Sequence, residues 1–181
     1  MSDLAAAAAG EDVVSGTVNP ELFRTAMTRF ASGVTIITTL DEHGGRWGFT
    51  ASAFSSLSLE PPLVLVCLAT SADSHAVFAG TAAFIVNVLG CEHDQLALRF
   101  ARKNIDKFAG GEFRPGVADG LPVLDEALVS LKCSTHARYE GGDHTILIGR
   151  VEYARVRAAG APALHFDRRF WDLVERTEVG P

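Results

Sequence analysis

The clearest hydrophobic pattern in the chain is an alternation of mostly apolar and mostly polar residues between positions 129 and 139. A period of two residues is typical of a strand with one buried face. The turn-forming segment Glu140-Gly141-Gly142-Asp143 follows, and a second extended segment occupies residues 144–157. The pattern therefore predicts a long β-hairpin.

Further segments rich in β-branched and apolar residues predict shorter strands. Asp41-Glu42-His43-Gly44-Gly45 is typical of a turn and predicts a hairpin between the first two of them. Helical spacing of apolar residues is confined to three stretches. About six or seven strands and a few short helices favour a single antiparallel barrel or sandwich. The predicted short strands are residues 34–40, 46–54, 63–68, 83–89 and 163–166. The first predicted helix begins at 19–20 and ends at Gly33, the second runs from 74–75 to Gly80, and the third runs from 92 to near Lys103.

Composition changes this picture little. The chain has 181 residues, of which 48% are hydrophobic and 21% charged, which is ordinary for a globular protein and excludes disordered, collagen-like and coiled-coil classes. The net charge of −6 disfavours a generic nucleic-acid binder. We expect one domain over residues 19–175, with a mobile tail at 1–18, a short C-terminal tail at 176–181 and a loop-rich stretch at 104–122.

The cysteines and the apolar runs indicate a cytoplasmic protein. Three widely spaced cysteines without a CxxC motif predict neither a disulfide framework nor a structural zinc site. The longest strongly apolar run, residues 63–69, is far shorter than the ~20 residues that span a bilayer. The N-terminus opens with an acid rather than the basic region of a secretory signal. We therefore expect no membrane partner.

Several familiar catalytic motifs are missing. The chain has no Walker A loop, no HExxH, no G-x-S-x-G and no G-x-G-x-x-G between a strand and a helix. Cys91-Glu92-His93-Asp94 carries metal-ligating side chains, but neighbouring residues on a helix diverge by about 100°. Acids are also expected at a helix N-terminus because of the macrodipole. No metal site is predicted.

Two polar segments follow extended ones and are candidates for ligand contact. They are TASAFSS at residues 50–56 and ATSADS at residues 69–74. Small residues and hydroxyls let the backbone approach a flat polar ring or a phosphate, and Ser74 at a helix start favours an anion. The same residues are also ordinary turn and cap formers, and spacing alone favours that simpler interpretation.

Histidine and cationic residues offer further candidates. His144 directly follows the Gly-Gly-Asp turn, where it could contact a ligand, transfer a proton, cap the turn or lie in solvent. The segments FARK at 100–103 and KF at 107–108 place cations beside aromatics. Such residues could form a rim for a planar, phosphate-bearing ligand, or a solvated helix face.

Taken together, these segments resemble the flavin reductase family, whose fold is the FMN-binding split barrel. The resemblance runs from about residue 23 to 173, and within the family it is greatest to reductases that serve flavin-dependent monooxygenases in actinobacterial antibiotic pathways. It implies a mainly β, antiparallel Greek-key split barrel with a few short helices. It is carried by FRTAMTRFASGVTIITT (23–39), GFTASAFSSLSLEPPLVLVCL (48–68), FIVNVL (84–89), FARKNIDKF (100–108), GGDHTILIGRV (141–151) and PALHFDRRF (162–170).

The resemblance implies reduction of free FAD or FMN by NADH, with direct hydride transfer and release of reduced flavin to a separate monooxygenase. It also implies a homodimer. A non-catalytic flavin-binding or storage protein and a small-ligand-binding β-barrel are the alternatives. The Arg102-Lys103 pair favours acceptance of FAD beside FMN, because it could meet a second phosphate.

Carried over by position, the family's flavin contacts fall on four parts of the chain. His144 would border the nicotinamide as an orienting or proton-relaying group, with Arg168 and Phe170 at the same mouth of the NADH site. The implied flavin-binding residues are Thr50, Ala51, Ser52 and Ala53 along the ring, Cys67, Leu68, Ala69, Thr70 and Ser71 through backbone contacts, Ser74 at the phosphate, Asn87, Val88 and Leu89 on the other side, and Phe100, Arg102, Lys103 and Phe108 over the flavin tail or the adenine.

Overall fold

The computed structural model describes residues 16–116 and 119–175, so most of the two expected tails lies outside the described residues. The described residues form mainly antiparallel strands, with three short α-helices and one 3₁₀ turn at Cys91–His93. The helices are α1 (Pro20–Met27), α2 (His75–Gly80) and α3 (Asp94–Ala101). The strands are β1 (Ser32–Gly33), β2 (Thr35–Leu40), β3 (Arg46–Ala51), β4 (Phe54–Ser58), β5 (Leu63–Ala69), β6 (Ala83–Val88), β7 (Phe113–Pro115), β8 (Pro122–Leu124), β9 (Val129–Gly141), β10 (His144–Val156), β11 (Leu164–Phe166) and β12 (Arg169–Trp171).

Seven strands form one sheet in the order β3-β2-β6-β9-β10-β5-β4, and every neighbouring pair is antiparallel. The two edge strands, β3 and β4, are consecutive in the chain and are joined by residues 52–53 alone. The sheet must therefore curl until its edges approach each other. No ladder joins β3 to β4 within the described residues, so the barrel is split along that line. The expected split barrel is confirmed.

The predicted long hairpin is confirmed as β9 and β10, which pair from His144 opposite Gly141 to Val156 opposite Val129. The prediction of one strand over residues 46–54 was wrong, because the chain breaks at 52–53 and continues as β4 beside β5. Helix α1 ends at Met27 rather than Gly33 and has no buried residue. Its apolar side chains therefore gain no packing energy that would extend the helix.

Two hydrophobic clusters hold the barrel together. One fills its interior, and the other lies where α3 packs against the sheet. Each cluster contains three buried phenylalanines, and edge-on contacts join some of these rings, as for Phe100 and Phe108 with ring centroids 5.0 Å apart. The largest fully buried members are Phe78, Phe84, Ile37, Leu68 and Leu147 in the first cluster and Phe100, Ile36, Leu89 and Leu124 in the second.

The last two strands form a tight hairpin in which Asp167 and Arg168 both have positive φ, 48° and 61°. The Asp167 amide donates to the carbonyl of Thr28, 2.9 Å away, and so ties the hairpin to the end of α1. None of the helices in the described residues is long and apolar enough to cross a membrane.

Candidate functional site

A cleft lies at one end of the split between β3 and β4. It has a volume of about 290 Å³. Three stretches of chain meet there: the β3–β4 connection, the end of β5 and the end of α3, with the start of β10 at the mouth. The lining residues are Phe49, Thr50, Ala51, Ser52, Ala53, Cys67, Leu68, Ala69, Ser71, Ala72, Asp73, Phe100, Ala101, Arg102, Lys103, Lys107 and His144.

The floor of the cleft is made of small side chains on fixed backbone. The Cys67 amide donates to the Ala53 carbonyl at 3.0 Å, which holds the β3–β4 connection against β5. Thr50 Oγ1 donates to the Ala97 carbonyl at 2.6 Å and ties β3 to α3. Burial raises the pKa of the Cys67 thiol, so this cysteine stays protonated at neutral pH. A flat ligand can therefore approach the main chain closely without displacing large side chains.

One side of the cleft is cationic because the segment after α3 folds back over it. Lys103 Nζ donates to the Ser71 carbonyl at 2.7 Å, and the Asn104 amide donates to Asp73 Oδ2 at 2.8 Å. Lys107 Nζ donates to the Gly48 carbonyl at 3.1 Å. Burial lowers the pKa of Lys107, and the Asp73 carboxylate opposes that shift. With Arg102, these side chains offer an anion several donors within one concave wall.

His144 stands at the mouth of the cleft as the first residue of β10. Its Nδ1 lies 2.8 Å from Asp143 Oδ1. The hydrogen bond with His144 and the electrostatic attraction of the imidazole both lower the pKa of Asp143. The main chain of this turn is anchored as well, because the Thr70 amide and hydroxyl both donate to the Asp143 carbonyl. The histidine is thus held on a fixed turn, with its side chain 43% exposed.

A larger groove of about 860 Å³ adjoins the cleft and shares Ser52 and Ala53 with it. Two apolar side chains of α1, Phe23 and Met27, form one wall together with Phe30, which lies just beyond the helix; all three are at least half exposed. Besides Ser52, the polar side chains that line the groove are Glu21, Arg24, Thr28, Ser32, His165 and Arg168.

Most of the residues singled out from the sequence meet in the cleft. Twelve of them line it, from all four stretches of the chain: Thr50, Ala51, Ser52, Ala53, Cys67, Leu68, Ala69, Ser71, Phe100, Arg102, Lys103 and His144. Thr70 lies just beyond the cleft, exposed. Arg168 lines the adjoining groove, and Phe170 packs against the second hydrophobic cluster and His165.

The structure corrects the positions of Asn87 and Leu89, which are fully buried and do not line the cleft. The Asn87 amide nitrogen donates to the Ile36 carbonyl at 3.1 Å, and its oxygen accepts from the Leu124 amide at 2.9 Å. Its polar atoms thus fasten β6 to β2 and β8. Val88, on the same strand, does not line the cleft either.

Ser74 and Phe108 also lie apart from the cleft lining. Ser74 is 1% exposed, makes no capping bond to α2, and its Oγ has no hydrogen-bond partner within the described residues. Phe108 is 6% exposed and packs against Phe100 and Phe113. Neither side chain therefore faces into this cleft.

Sequence reasoning did not single out Phe49, and it named Ala72, Asp73, Ala101 and Lys107 only as members of candidate segments, without a contact of their own. Lys107 stood in a segment already marked as cationic and aromatic, but its place in the cleft depends on the fold-back of residues 102–108. The groove residues Arg24 and His165 had no local signal, because α1 and β11 approach the cleft only in the folded chain.

Comparison with known proteins decides the family. Residues 27–173 match the family described as Flavin reductase like domain. The chain belongs to this flavin reductase family. Over 160 residues, it is 50% identical to a Streptomyces coelicolor protein named actinorhodin polyketide dimerase, and the match covers 88% of this chain and 90% of that protein.

Two further relatives of this flavin reductase domain carry informative names. One is the reductase subunit HsaB of a flavin-dependent monooxygenase from Rhodococcus jostii, 40% identical over 139 residues that cover 77% of this chain and 70% of that protein. The other is a solved structure, the NADH:FAD oxidoreductase SgcE6 of Streptomyces globisporus in complex with NAD and FAD fragments. It superposes with a TM-score of 0.83 at 32% identity, over 91% of this chain and all of that chain.

The cleft of this flavin reductase domain fits a flavin by its own chemistry. Small side chains at residues 50–53 form much of its floor, as a flat tricyclic ring needs, and the nearly buried Phe100 ring packs behind one side. Gly48 shows how tight the wall is, because a Cβ there would stand 2.8 Å from the Phe100 ring. The cations lie together at one side, where a phosphate can be neutralised. Within the described residues, no group of three or more metal-ligating side chains gathers.

Proposed function

We propose that this chain catalyses the reduction of free flavin, FAD or FMN, by NADH and releases the reduced flavin to a separate monooxygenase. One observation carries the proposal. A cleft with a small-residue floor, a cationic wall and a histidine at its mouth lies in a chain of the flavin reductase family. The SgcE6 relative, named as an NADH:FAD oxidoreductase, supports the same reaction.

The floor of the cleft binds the flavin ring, and the cationic wall binds its phosphate. Residues 50–53 and 67–71 take the isoalloxazine ring, mainly through backbone groups, and Phe100 closes one side. Arg102, Lys103 and Lys107 neutralise the phosphate. Flavin bound in this way supplies a two-electron acceptor, which takes a hydride from nicotinamide C4 at its N5. The protein contributes chiefly by positioning the two reactants and excluding water.

The nicotinamide enters from the side of His144. The hydrogen bond between His144 Nδ1 and Asp143 leaves Nε2 as the ring nitrogen available to the cleft. His144 therefore orients the nicotinamide or relays a proton. The adjoining groove gives the rest of the dinucleotide a path past Ser52 and Ala53, with Arg24 and Arg168 as cations for its phosphates.

A second copy of the chain covers the exposed apolar surface that α1 forms with Phe30, just beyond its end. Phe23, Met27 and Phe30 are 56%, 50% and 74% exposed, which is a large apolar surface for a lone subunit. Because these side chains form a wall of the groove, a homodimer would complete that wall. Sedimentation of the wild type beside Phe30→Asp tests this point, with dimer expected for the first and monomer for the second.

A separate oxygenase as partner is supported by the Rhodococcus jostii relative, which is named as the reductase subunit of a flavin-dependent monooxygenase. The relative named for a polyketide reaction supports a place in antibiotic biosynthesis. The three free cysteines suit a reducing cytoplasm.

The direct test is flavin-dependent oxidation of NADH by the purified protein, followed at the NADH absorbance band. FAD, FMN and riboflavin are compared, each with NADH and with NADPH, against flavin without protein. Rapid NADH oxidation that requires both protein and flavin is expected. Tight flavin binding without oxidation would instead assign the chain to flavin storage.

A further inference from the structure

A second cleft lies directly beside the flavin site, and apart from Lys107 none of its lining residues has a role in the function proposed above. We name it the Trp47 cleft; its walls include Arg46, Trp47, Ile105 and Phe108, and its volume is about 400 Å³. It shares Asp73 and Lys107 with the flavin cleft. The two spaces are therefore neighbours across a pair of polar side chains, and a ligand longer than the first cleft can continue into the second.

The walls of the Trp47 cleft are suited to a flat, partly apolar group. Trp47 is half-buried, and Ile105 is 44% exposed on the opposite segment. Phe108 lies nearly buried at the base, and the Arg46 guanidinium stands 4.8 Å from its ring centroid. Aromatic and guanidinium surfaces are those on which nucleobases stack.

The indole of Trp47 is held in place before any ligand arrives. Its Nε1–H donates to Asp41 Oδ2 at 2.8 Å. The other Asp41 oxygen accepts from the amides of His43 and Gly45, so the carboxylate is itself fixed by the β2–β3 turn. A ring fixed in this way loses little side-chain entropy on binding, which makes it an effective stacking surface.

The boundary between the clefts matches the polar middle of a dinucleotide. Lys107 Nζ is anchored on the Gly48 carbonyl at 3.1 Å and faces both spaces, so it is placed for a bridging pyrophosphate. Asp73 uses Oδ2 to accept from the Asn104 amide, and a carboxylate retains further lone pairs for ribose hydroxyls. A mononucleotide such as FMN ends at the first phosphate and would leave the Trp47 cleft empty.

We propose that the Trp47 cleft binds the adenosine half of FAD, with the adenine against Trp47 and the pyrophosphate at Lys107, and so makes FAD the preferred flavin. The proposal rests on the proposed function, since it presumes that the neighbouring cleft holds the flavin ring. Selectivity arises here because FAD and FMN are identical up to the first phosphate.

The test is a comparison of equilibrium dissociation constants for oxidised FAD and FMN, measured by flavin fluorescence titration without NADH. The wild type is expected to bind FAD more tightly than FMN. Trp47→Ala is expected to raise the constant for FAD about tenfold, the effect of losing one stacked base, and to change that for FMN less than about twofold. Trp171→Ala removes the other tryptophan and is the matched control, in which neither dissociation constant should change.

Trp47 also packs against the barrel interior, so a second variant is needed to distinguish loss of the binding surface from loss of folding. Ile105→Asp alters only an exposed wall of the same cleft and should reproduce the selective loss of FAD binding. Equal losses for FAD and FMN, unchanged FAD binding in both variants, or tighter wild-type binding of FMN would overturn the adenosine site. Absence of NADH oxidation with any flavin would refute the reductase function separately, because the titrations involve no turnover.

Discussion

His144 and Asp143 form a hydrogen-bonded pair at the mouth of the flavin cleft, with Nδ1 of the imidazole 2.8 Å from Oδ1 of the carboxylate. The pair lies on a turn whose backbone is tied to Thr70, so the imidazole is fixed relative to the floor of the cleft. A ring anchored through one nitrogen can present the other to a ligand in a defined direction.

The first prediction concerns that ring. His144→Ala should raise KM for NADH about tenfold, the value of one hydrogen bond to a charged or strongly polar group, and weaken flavin binding less. Steady-state kinetics with varied NADH, together with flavin titrations, separate the two effects. Asp143→Asn keeps an acceptor oxygen and should show a smaller change. Identical NADH kinetics in His144→Ala and wild type would reject the role.

The cationic wall predicts which flavins lose affinity when charge is removed. The double variant Arg102→Gln/Lys103→Gln should weaken FMN and FAD about tenfold while leaving riboflavin, which lacks the phosphate, nearly unchanged. Both side chains are exposed, so added salt should reduce the difference. Arg150→Gln, on β10 and outside the cleft lining, is the control for loss of charge. An equal loss for riboflavin would contradict phosphate binding here.

Asn87 is expected to matter for stability rather than for flavin. Asn87→Ala leaves the Ile36 carbonyl and the Leu124 amide without their partner in the core, which should cost about 2–4 kcal/mol of the free energy of unfolding. Denaturant unfolding measures the loss, and Asn87→Asp, which cannot donate, should also destabilise. A stable Asn87→Ala protein that no longer binds flavin would restore the original assignment of this residue to the site.

The cysteines should differ in reactivity toward a thiol reagent at mildly alkaline pH. Cys91 is exposed and should react first, while burial raises the pKa of both Cys67 and Cys133. Cys67 lines the flavin cleft, so FAD should slow its modification further but leave Cys91 unaffected. Mass spectrometry of the labelled protein, with and without FAD, checks the order. Equal labelling of Cys67 in both conditions would place the flavin elsewhere.

Cys133 predicts a loss of stability at high pH. Burial raises its pKa from 9.0 to about 12. Between those values the unfolded thiol loses its proton while the folded one keeps it, so the free energy of unfolding should fall as pH rises from about 9 toward 12. Denaturation curves of the wild type and of Cys133→Ala over that range isolate the effect. Parallel pH profiles for the two proteins would refute it.

Local patterns predicted the strands well where one face is buried, as in β9 and β10. They missed the break at residues 52–53, since GFTASAFSS reads as one extended run and the bend arises from closure of the barrel. The parts of the cleft come from positions near 50, 67, 102 and 144, and no local spacing relates them; family resemblance brought them together. Asn87 was misplaced because the burial of a polar side chain depends on β2 and β8, which pack over it only in the folded protein.

The hairpin between β11 and β12 holds Asp167 and Arg168 in the left-handed region, where a non-glycine residue costs about 1–2 kcal/mol. Asn-Gly is the preferred pair for a two-residue turn of this kind and would remove much of that cost. It would also remove the arginine that reaches the groove beside the flavin cleft. At this turn, greater thermal resistance therefore opposes the proposed binding of NADH at Arg168, and engineering toward either property is expected to sacrifice the other.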